Sequence, residues 1–73
     1  MYPVGKRVVV QNGPDAVKRT GEISGYSIVK RSTFPSEMIP CYIVELDKGV
    51  QAQDMWVVHI VVSSNIVTEY NPE

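Results

Sequence analysis

The chain has 73 residues, of which 44% are apolar, and a net charge of −1. That length holds one domain, residues 1–73, with a small core that hides only about 60% of the unfolded surface, and the apolar content excludes a disordered chain. The single cysteine, Cys41, excludes an intrachain disulfide. With no apolar segment following Met1 and no apolar run near ~20 residues, the expectation is a reducing cytoplasmic setting without signal peptide or membrane span.

The predicted elements are all strands. The first runs from Lys6 to Gln11 and ends at Asn12-Gly13-Pro14-Asp15, where glycine and asparagine tolerate positive φ and proline fixes its own. The turn extends to about Val17, and a long second strand follows from Lys18 to Val29. Gly21 and Gly25 inside it mark a bulge or a sharp bend. Lys30 to Pro40 reads as a polar loop with one exposed aromatic, Phe34, and Ser36-Glu37-Met38 as a single helical turn stopped by Pro40. The third strand, Cys41 to Leu46, alternates Tyr42, Val44 and Leu46 on one face with Cys41, Ile43 and Glu45 on the other. Asp47-Lys48-Gly49 is the predicted hairpin turn. A fourth strand covers Met55 to Val62 with a lead-in from Val50. Ser63-Ser64-Asn65 forms a turn or a 3₁₀ turn, and a short last strand runs from Ile66 to Tyr70.

Four segments carry a resemblance: Val4-Gly5-Lys6-Arg7-Val8-Val9-Val10, Gly21-Glu22-Ile23-Ser24-Gly25-Tyr26, Tyr42-Ile43-Val44-Glu45-Leu46-Asp47-Lys48-Gly49 and Ser64-Asn65-Ile66-Val67. In this order they resemble the SH3-like small-barrel superfold with its KOW and Tudor-like relatives. The resemblance implies an all-β, five-stranded SH3-like barrel. A peptide-binding SH3 domain carries an acidic, aromatic-rich first loop and paired tryptophans. Here that loop is Asn12-Gly13-Pro14-Asp15 and Trp56 stands alone, so binding of proline-rich ligands is not expected.

No catalytic residue, metal site or cofactor is expected. His59, the only histidine, sits mid-strand between Val58 and Ile60 without a Ser or Cys partner pattern. No CxxC, HxxxH, Walker or dinucleotide fingerprint occurs. The sequence instead points to interaction. Met55-Trp56-Val57-Val58-His59-Ile60-Val61-Val62 is apolar on both strand faces apart from His59, and one small core covers only one face. A second copy of the chain covering the other face is the economical solution, and a dimer is the commonest closed form. Trp56, Val58, Ile60 and Val62, with Tyr42 and Phe34, are therefore the candidate protein-binding residues.

The charge distribution offers an alternative. Residues 1–31 hold six basic and two acidic side chains, and residues 32–73 one basic and six acidic. Lys6, Arg7, Lys30 and Arg31, with Tyr26 for stacking, form the candidate nucleic-acid-binding set. Antiparallel pairing of the first two strands places both Lys-Arg pairs near one end of the barrel. Mixing of the two halves in the sheet would average these charges out.

Overall fold

The computed structural model describes residues 1–12 and 17–71, so the middle of the turn predicted from Asn12 to about Val17, residues 13–16, lies outside the described residues. Five strands form one antiparallel sheet: β1 Arg7–Asn12, β2 Val17–Arg31, β3 Glu37–Ala52, β4 Met55–Ser63 and β5 Val67–Glu69. A single 3₁₀ turn, η1 Ser64–Ile66, joins β4 to β5, close to the predicted position. The strand order is β4-β3-β2-β1-β5, and the sheet is open: β4 and β5 are its two edges. Among the described residues no helix is long and apolar enough to cross a membrane.

The core follows the period-two alternation of side chains along a strand. Val8 and Val10 from β1, Ile23 from β2, Tyr42, Val44 and Leu46 from β3, Val62 from β4 and Val67 from β5 make one buried cluster. Tyr2, Val50, Ile60 and Ile66 pack against its margin. The register steps between Ile23 and Gly25 on β2, where glycine inside the strand signalled a bulge.

Two local predictions fail. The β3–β4 hairpin turns at Gln53-Asp54, both with positive φ (49° and 64°), as a two-residue turn requires, and not at Asp47-Lys48-Gly49. Those three residues lie inside β3 at a wide irregularity: Glu45 pairs with His59 and Val50 with Val57, so four β3 residues face Val58 alone. Asp47 is thereby released from the ladder and swings toward β1 and β2. The stretch from Lys30 to Pro40 is also not a loop. Arg31 pairs with Glu37 and Ile28 with Pro40, leaving only 32–36 as a connection, and Glu37 and Met38 are strand rather than helical turn.

The result is a projecting two-stranded arm. β1 pairs with β2 only as far as Glu22, and β4 reaches β3 only as far as Cys41. Beyond those points Ile28–Arg31 and Glu37–Pro40 have only each other. The molecule measures 41 × 32 × 21 Å.

Candidate interaction surface

β4 is the apolar edge of the sheet. Between Met55 and Ser63 it holds no Lys, Arg, Asp, Glu or Pro, the residues with which proteins usually blunt an exposed edge. Met55, Trp56, Val58 and Val61 are exposed, Trp56 to 68% and Val61 to 53%. The indole of Trp56 lies over Gly49: a Cβ at that position would collide with the ring, so the β3 irregularity and its glycine make the seat on which the tryptophan rests. Of the predicted protein-binding residues, Trp56, Val58 and Phe34 are exposed, Ile60 is half-buried, and Tyr42 and Val62 belong to the core.

The arm is the second apolar surface. Ile28, Val29 and Met38 are exposed along it and Phe34 is wholly exposed at its tip. At its base Met1, Tyr26, Ser27, Ile28, Pro40 and Cys41 line a cleft of about 390 Å³. Beside the cleft, two tyrosines, Tyr26 and Tyr42, clamp the N-terminal segment at Tyr2. The Tyr2 backbone N–H donates to Tyr42 Oη (2.8 Å), and Tyr26 Oη donates to the Tyr2 carbonyl (2.6 Å). The rings of Tyr2 and Tyr26 lie 5.9 and 5.8 Å from that of Tyr42. These aromatics fill one another's faces, which is packing rather than an open cage for a cation.

The charged residues mix across the sheet. Lys6 Nζ reaches Glu69 Oε1 at 2.7 Å and Arg31 Nη1 reaches Glu37 Oε2 at 3.6 Å. Arg7 holds Asp47 through both terminal guanidinium nitrogens, Nη1 to Oδ1 at 2.6 Å and Nη2 to Oδ2, while Thr20 Oγ1 donates to Asp47 Oδ2 at 2.7 Å. Arg7 also lies 5.5 Å from the centre of the Tyr70 ring. Three of the four basic residues in the nucleic-acid set are therefore already in exposed ion pairs. The two Lys-Arg pairs are also far apart. Arg7 pairs with Glu22, and Arg31 lies at the arm tip, about 30 Å further along β2 at ~3.3 Å per residue. The single-end clustering predicted from the sequence does not occur, because β2 extends well past the end of β1.

The hydrogen bonds from Arg7 and Thr20 hold the Asp47 carboxyl at about 2, below its ordinary 3.8. Lys6 likewise lowers Glu69, and the bond to Asp47 raises Arg7. A carboxylate whose folded-state value is depressed contributes stability that is full above its unfolded value and is lost as pH falls through its folded one. Asp47 therefore stabilises the fold above about pH 4, and this contribution disappears between about pH 4 and pH 2. Thermal denaturation across that window is expected to show a steeper acid loss for the parent than for Asp47→Asn, which has no carboxylate to protonate. Parallel acid limbs would assign the loss to other groups.

Among the described residues no three His, Cys, Asp or Glu side chains gather around a common point. His59 Nε2 stands 4.0 Å from Glu45 Oε2 on the neighbouring strand, while the buried Cys41 pairs with Ser63, four residues further along β4. No family model, curated protein or solved structure matches the chain.

Proposed function

We propose that this chain is a non-catalytic interaction module of the SH3-like small-barrel type that self-associates through β4 and works as a dimer in the cytoplasm. The strand order, with β1 between β2 and β5 and a 3₁₀ turn leading into β5, supports the SH3-like reading. The observation that carries the functional reading is the apolar, uncharged edge strand: β4 ends the sheet, and Trp56, Val58 and Val61 on it face solvent. A second copy brings an identical strip and covers both, which is the self-complementary geometry of a two-fold interface. Ion pairing of Lys6, Arg7 and Arg31 within the chain weighs against the nucleic-acid alternative.

Light scattering on the purified chain tests this. The parent is expected at twice the 8.2 kDa chain mass. Val61→Glu, which places a charge on the exposed edge, is expected at the single-chain mass with an unchanged β circular dichroism spectrum. A monomeric parent contradicts the proposal. Tight binding of single-stranded nucleic acid that weakens steeply with salt supports the alternative instead.

A further inference from the structure

The hydrogen bonds of the inner strands fix which backbone groups of β4 are unspent, and with them the register in which a second copy can join. Ile23 uses its backbone on the β1 side: its N–H donates to the Lys6 carbonyl at 3.0 Å and its carbonyl accepts from Gly5 N–H at 2.8 Å. In an antiparallel ladder, facing residues alternate between pairs that exchange hydrogen bonds and pairs whose groups point away from each other. Ile23 faces Val44, so Val44 directs its groups at β4, where it faces Ile60. An independent contact agrees. The Ile43 carbonyl accepts from Ser24 Oγ on β2 at 3.2 Å and so points away from β4 and from Val61, the residue opposite. Ile60 and Val62 therefore spend their N–H and C=O on β3. His59, Val61 and Ser63 present theirs at the open edge.

We infer that two copies join edge to edge along His59–Ser63, antiparallel, with the two-fold axis at Val61, so that their sheets become continuous. This rests on the self-association proposed above and specifies its geometry. A two-fold antiparallel pairing brings each outward-facing residue opposite another outward-facing one, so the axis passes through a residue and not between two; an axis at Ile60 sets His59 opposite the partner's Val61, polar against apolar, and an axis at Val62 sets Ile60 opposite the partner's Ser64, which has left the strand for η1. An axis at Ser63 is excluded because the chain leaves the strand there for η1. An axis at His59 needs a uniform strand back to Met55, and the pairing with β3 is broken between Val57 and His59. Val61 remains. In that register His59 lies opposite the partner's Ser63, Ile60 opposite the partner's Val62, and Val61 opposite itself. Polar residues meet polar and apolar meet apolar on both faces, and Val61, now 53% exposed, is covered by its own copy.

Proline separates an outward N–H from an inward one, because it removes the donor and is tolerated only where that donor faces solvent. Val61→Pro and His59→Pro are expected to keep the β circular dichroism spectrum and a cooperative thermal transition while the mass in light scattering falls twofold. Ile60→Pro, which removes a β3–β4 bond, is expected to lose the cooperative transition. A parent at the single-chain mass overturns self-association and this pairing with it. A dimeric parent whose Val61→Pro and His59→Pro variants stay dimeric overturns the edge pairing alone and leaves a contact through side chains such as Trp56 and Val58. Unfolding of both outward variants overturns the assignment of backbone direction.

Discussion

Ile23→Ala is expected to cost about 3 kcal/mol, within the range of roughly 2–5 kcal/mol for removing a large aliphatic side chain from a packed interior. Ile23 is 1% exposed, sits on β2 at the middle of the five-stranded order, and faces Val44, which is wholly buried. A domain of this length has a total stability of only about 4–11 kcal/mol at roughly 0.05–0.15 kcal/mol per residue. The change therefore takes away more than a quarter of it, and the melting temperature should fall by over 10 °C at about 4–8 °C per kcal/mol. Ile28→Ala is the matched control. It removes the same atoms from the same strand at a position 64% exposed on the arm. Its cost is expected to stay within about 0.5 kcal/mol, as for other surface substitutions. Urea denaturation of the two variants checks the contrast, and equal losses would mean that the arm is buried in solution or that the core lies elsewhere.

Gly21→Val is expected to be as damaging, for the opposite reason. A Cβ on Gly21 would sit against the carbonyl of Glu45 and within 3.0 Å of a Val44 methyl. The obstacle is backbone of the neighbouring strand, which no rotamer change relieves. Forcing atoms into such a contact costs about 1–3 kcal/mol and sometimes more. Gly25, on the same strand, has only Ile43 side-chain atoms near a Cβ, at 3.5 and 4.0 Å, which is ordinary contact. Gly25→Ala should therefore leave the denaturation midpoint close to that of the parent, while Gly21→Val lowers it strongly. A reversed order would show that the two strands cross at a different point.

Much of this architecture is legible in the sequence where one residue type has one physical role. Alternation of Tyr42, Val44 and Leu46 places the core face of β3, and all three are buried. The glycines inside β2 predict a bulge or bend, and the register does step between Ile23 and Gly25, whereas Gly21 lies in the ladder and serves a close approach to the Glu45 carbonyl. The 3₁₀ turn at Ser64–Ile66 lies one residue beyond the predicted Ser63–Asn65. The hairpin turn was hidden because Asp47-Lys48-Gly49 has turn composition but serves another purpose. Asp47 is needed to reach Arg7 and Thr20, and Gly49 to seat Trp56, while the true turn uses Gln53 and Asp54 without any glycine. The arm was hidden because Lys30 to Pro40 is polar and proline-bearing, and a ribbon with no packed neighbour needs little apolar alternation. Within the candidate surface, the apolar excess of β4 is visible by counting, and so is the exposure of Trp56 and Phe34. The neutralisation of Lys6 by Glu69 and of Arg7 by Asp47 is not, since these partners lie 63 and 40 residues apart and meet only through strand order. The direction of each backbone N–H on β4 is likewise set by the strands beneath it.

Amide hydrogen exchange on β4 of the parent chain, followed residue by residue by NMR, tests the central claim most directly. If a second copy covers this edge, the His59 and Val61 amides are protected together with Ile60 and Val62 at high protein concentration, and His59 and Val61 alone lose protection on dilution. Fast exchange of His59 and Val61 at every concentration, with Ile60 and Val62 protected throughout, would leave β4 an uncovered edge and contradict the account.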